Sequence, residues 1–64
     1  MILEERAEKY VRGLTNDAKR MYARRYMEYL LGDLRDAPLY ETFALTVMGA
    51  QAVRMNLIGI LGER

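Results

Sequence analysis

Apolar positions recur with a helical period along most of this chain, and nowhere do they alternate as in a half-buried strand. Leu3, Ala7, Tyr10 and Leu14 stand at i, i+4, i+7 and i+11, one stripe of a first helix over about residues 2–12. Glu4, Glu5 and Glu8 lie early and Arg12 late, which suits the helix dipole, and Gly13 is placed as a stop. Thr15, Asn16 and Asp17 can each cap the start of a second helix, over about 16–31, that stops at Gly32. A third opens near Asp36, with Pro38 in its first turn, and runs over about 37–61. Gly49 and Gly59 fall inside it, each at a helical cost of ~1 kcal/mol relative to Ala, and a bend at Gly49 is an open alternative. The pattern predicts one all-α domain over residues 1–64, with three helices and a long apolar C-terminal one.

On a helical wheel the second helix separates its residues cleanly. Ala18, Tyr22, Ala23, Tyr26, Met27, Tyr29 and Leu30 fill one half; Arg20, Arg24, Arg25 and Glu28 fill the other, with Met21. Lys19 alone intrudes on the apolar half, where its stem can lie along apolar surface. The tyrosines therefore face a core while the arginines face outward. Arg24 and Glu28 are i, i+4 partners, which mutes the basic face.

The third helix reads differently. Leu39, Phe43, Ala50, Leu57 and Leu61 take one side; Ala44, Leu45, Met48, Ala52 and Met55 take the other. A helix apolar on both sides is buried on both sides. Unbroken from Leu39 to Leu61 it spans about 35 Å, against about 28 Å for a compact chain of this size. The first two helices cover one side, so the second side calls for a partner. A copy of the same chain, forming a dimeric helical bundle, comes first; another protein comes second. A membrane ranks last, because Gln51, Arg54 and Asn56 sit mid-span. Thr42, Thr46, Gly49 and Val53 form a stripe of mainly small residues suited to close helix approach. With Leu45, Met48, Ala52 and Met55 they make the expected oligomer interface.

Composition narrows the chemistry. The chain has 64 residues and no Cys, which excludes disulfides and thiolate clusters. It has no His, the commonest transition-metal ligand and the usual acid–base group near neutral pH. It also lacks Ser, and no pair among its Thr, Tyr, Lys, Asp and Glu residues forms a catalytic motif, so no enzymatic activity, cofactor or metal is expected. Glu4 with Glu8, and Asp33 with Asp36, read as surface charge. No secretory signal is recognised at the N-terminus, which predicts a cytoplasmic location. A net charge of +1 does not imply nucleic acid by itself. The charge is unevenly spread, however: from Ala37 to Gly62 only Glu41 and Arg54 are charged.

The run GLTNDAKRMYARRYMEYL resembles the opening of the core-binding domain of tyrosine recombinases. There a Gly-Leu-Ser/Thr turn starts a helix with a spaced Tyr, Arg residues and an aromatic-Leu end. The matching positions are Gly13, Leu14, Thr15, Arg20, Tyr22, Arg24, Tyr29 and Leu30, under a third of the chain. The resemblance implies DNA as a partner.

The leading expectation is a non-enzymatic helical interaction protein: an adaptor, regulator or small subunit acting as a homo-oligomer. A second is a DNA- or RNA-binding regulator that uses Arg20, Arg24 and Arg25. A third is a small membrane protein.

Overall fold

A computed structural model describes residues 2–64. Helix α1 spans Leu3–Arg12, α2 spans Asp17–Leu30 and α3 spans Val47–Leu61; a 3₁₀ turn, Tyr40–Phe43, lies between α2 and α3. There is no strand among the described residues. The bundle measures 31 × 26 × 16 Å.

The first two helices end where their flanking residues dictate. Asn16 caps α2 by accepting a hydrogen bond at Oδ1 from the Lys19 backbone N–H, at 2.9 Å. At the far end Gly32 takes φ +90°, a conformation open to residues without a Cβ. That lets its N–H reach the Tyr29 carbonyl at 3.0 Å and the Asp33 N–H reach the Glu28 carbonyl at 2.8 Å. This pair of bonds satisfies carbonyls that the last helical turn leaves open.

Each helix contributes one fully buried alanine, Ala7, Ala23 and Ala50, which lets the three backbones approach closely. Around them lie Val11, Tyr22, Tyr26, Met27, Val53 and Leu57. Tyr22 is the largest fully buried side chain. Its ring meets Phe43 edge-on at 5.6 Å and lies 5.9 Å from Tyr26. The Tyr22 hydroxyl accepts a hydrogen bond from Arg54 Nη1 at 3.3 Å, so the one cation of α3 is anchored on the core's central aromatic.

The third helix departs from expectation. It starts at Val47 rather than near Asp36, and its N-cap is Thr46, whose Oγ1 accepts from the Gly49 N–H at 3.2 Å. Upstream, Ala44 adopts left-handed φ 55°, which ends the 3₁₀ turn and reverses the chain. Thr42, Phe43, Thr46 and Val47 are weak helix formers, so an unbroken helix there has little intrinsic support. Folding the segment back places Phe43 on Tyr22, contact that a continuous helix would forfeit.

Two consequences correct the sequence reading. A helix of 15 residues is only about 22 Å long, so it fits within the bundle and its length no longer demands a partner. Nor is any helix among the described residues long and apolar enough to cross a membrane. Gly49 is not a bend: it lies in the regular first turn of α3.

Candidate functional site

The outward face of α3 is apolar yet exposed. Ala50, Val53 and Leu57 point inward and are buried. On the opposite side lie Met48, Ala52, Met55 and Gly59, at i, i+4, i+7 and i+11, all exposed. Met48 is 81% exposed and Met55 64%. Gln51 and Asn56 flank this stripe without adding charge. The Asn56 side-chain amide donates to the Ala52 carbonyl at 2.8 Å. The two-sided apolar character read from the sequence thus holds for the part of the segment that is helical.

The expected interface residues separate in the structure. Met48, Ala52 and Met55 share the outward face. Thr42 lies in the 3₁₀ turn, Thr46 caps α3, and Val53 is committed to the protein's own core. Leu45 is half-buried against that core. The stripe Thr42–Thr46–Gly49–Val53 therefore does not exist as one helical face. A Cβ on Gly49 would lie 3.6 Å from Thr46 Oγ1 and 3.7 Å from Lys19 Cε, ordinary contact with no tight crossing. Gly59 was not included in the expected interface. Its signal was its spacing, four residues beyond Met55 and seven beyond Ala52.

The basic face of α2 is largely neutralised by the fold. Arg20 pairs with Asp17 and also donates to the Leu14 carbonyl at 2.8 Å, tying the α1–α2 turn to α2. Arg24 reaches across to Glu8 of α1 at 2.9 Å, and Arg25 meets Glu28 at 3.4 Å. The expected Arg24–Glu28 pairing is replaced by these two. Tyr22 and Tyr26, the aromatics nearest the arginines in sequence, are buried and offer no face to a base.

An open groove of about 240 Å³ lies where the start of α1 meets the end of α2, lined by Ile2, Glu4, Glu5, Glu8, Met27 and Leu31. It is smaller than the ~300–1,000 Å³ usual for small-molecule sites. One of its carboxylates, Glu8, is already taken by Arg24. No group of three or more acidic side chains suited to a metal ion occurs among the described residues.

Burial raises the pKa of the Tyr10 hydroxyl, opposed by a hydrogen bond from Asn56. Burial also raises Tyr26, helped by neighbouring Tyr22 and opposed by Arg54. Both groups lie at helix contacts, and both shifts keep the phenols neutral. Comparison with protein-family models, with curated proteins and with solved structures gives no match, so the tyrosine-recombinase resemblance gains no support from them.

Proposed function

We propose that this protein is a non-enzymatic helical interaction module whose first partner is a second copy of itself, docked through the outward face of α3. The observation that carries this reading is the stripe Met48, Ala52, Met55 and Gly59, apolar, uncharged and exposed. Charge favours a copy as the occupant. A two-fold partner presents the same charges it meets, so the face without charge is the one that meets itself without repulsion. The outer faces of α1 and α2 carry charges of both signs instead.

Size sets the strength. One side of a helix this long offers on the order of 400 Å² of accessible surface per protomer. Stable complexes bury about 800 Å² per partner. The dimer is therefore weak and concentration-dependent. Methionine suits such a face, because its flexible thioether adapts to irregular contacts.

Nucleic-acid binding through Arg20, Arg24 and Arg25 draws less support, because each guanidinium already has a carboxylate partner. Sedimentation equilibrium from about 10 to 500 micromolar tests the proposal: a monomer–dimer equilibrium is expected, with the dimer gaining by mass action. A 7.5 kDa monomer throughout that range overturns it.

A further inference from the structure

We infer that two copies pair their α3 helices antiparallel, in the register that seats Met48 against the partner's Gly59 and Met55 against the partner's Ala52. This rests on the self-association proposed above and adds its geometry.

The first observation is the order of sizes along the stripe. Met48 and Met55 are large and seven residues apart; Ala52 and Gly59 are small and also seven apart. In an antiparallel pair, facing residues have numbers of constant sum. Met48 with Gly59 and Met55 with Ala52 both sum to 107, so one register matches both large residues to both small ones. A parallel two-fold pair stacks each residue on its own copy. Methionine would then crowd methionine, and the Ala52 and Gly59 layers would be left thin. Cores favour the alternation of large and small.

The second observation is Gly59 itself. It sits inside α3, where glycine costs ~1 kcal/mol relative to alanine. A Cβ added there would find no atom of the described residues within 4 Å beyond its own chain neighbours and the adjoining helix backbone. Nothing inside the protomer requires the glycine. A thioether arriving from a second copy does, because the missing Cβ leaves it a socket. The flanks agree: an antiparallel two-fold brings Gln51 beside the partner's Gln51 and Asn56 beside the partner's Asn56, uncharged amides on both sides.

The absence of Cys makes a clean test possible. In this register the two Met48 positions lie about 16 Å apart along the helices, whereas Met48 and the partner's Gly59 share a layer. A mixture of Met48→Cys and Gly59→Cys proteins is therefore expected to oxidise to the mixed disulfide, with Met48→Cys alone giving little linked dimer. Efficient linkage of Met48→Cys to itself, in a protein that sedimentation shows to be dimeric, overturns the register and leaves self-association standing. A monomer at every concentration overturns both. Gly59→Leu gives an independent reading: it meets open space in the protomer, so circular dichroism should stay helical while the dimer weakens about tenfold or more. The double variant Met48→Ala with Gly59→Met restores a large–small layer and should recover much of the association; a further loss counts against the register.

Discussion

Ala44 is the described non-glycine residue with positive φ, and it ends the 3₁₀ turn just before α3. Left-handed backbone costs an L-residue roughly 1–2 kcal/mol, because its Cβ crowds the following carbonyl. The contact of Phe43 with Tyr22 helps hold the chain in that turn. Replacing Ala44 by Gly removes the strain, partly offset by the larger freedom of the unfolded chain. Ala44→Gly is expected to stabilise by roughly 0.5–1 kcal/mol, and the branched Ala44→Val to destabilise by about 1–3 kcal/mol. Urea unfolding followed by circular dichroism measures both. A less stable glycine variant would mean that the left-handed turn is absent in solution.

At the scale of the element, α3 begins where it does because Thr46 stops the helix from running on toward Pro38. Its side chain accepts the Gly49 N–H, and its own backbone is extended. Thr46→Ala should cost about 1 kcal/mol, while Thr46→Ser should be nearly neutral. Loss of amide hydrogen-exchange protection in the first turn of α3 would accompany the alanine change. Equal stability of the two variants would show that the cap contributes nothing. The ties between elements are weaker. The Arg24–Glu8 pair joins α1 to α2, but both side chains keep substantial exposure, so it adds less than ~1 kcal/mol. The last residue reaches further: the Arg64 guanidinium donates to the Tyr29 carbonyl at 2.9 Å and stands 4.7 Å over the Tyr29 ring.

For the molecule as a whole, the phenols set an alkaline limit. Tyr10 and Tyr26 have pKa values raised above the ordinary 10.0, both chiefly by burial. Well below pH 10 they are protonated in both folded and unfolded chains, so their contribution is fully present. As pH rises further the unfolded chain loses these protons first, and the fold loses stability. The Tm is expected to hold steady from about pH 7 to 9 and to fall above about pH 10. Tyr10→Phe should make that fall shallower. An unchanged alkaline profile in the variant would remove Tyr10 from the account. A core of nine buried side chains among the described residues leaves little margin in a chain this small. That makes the pH limit measurable.

The sequence by itself determined the helical class, the second helix and the inward face of its tyrosines. Period and polarity act locally there: Tyr22, Ala23, Tyr26 and Met27 recur at helical spacing, and Asn16 and Gly32 carry their own start and stop chemistry. It also determined that the last helix is apolar on two sides, since Met48, Ala52 and Met55 oppose Ala50, Leu57 and Leu61 by spacing alone; that Val53 belongs to the inner side was decided by the packing. Only the tertiary structure decided where that helix begins. From Leu39 to Leu45 the local pattern fits helix as well as turn, and the contact of Phe43 with Tyr22, 21 residues away, favours the turn. The same holds for charge. Arg24 has a helical neighbour at Glu28, yet its partner is Glu8, brought close only when α1 packs on α2. Gly59 reads in sequence as an interruption; that the space a Cβ would take beside it is open is visible only once the helices are packed.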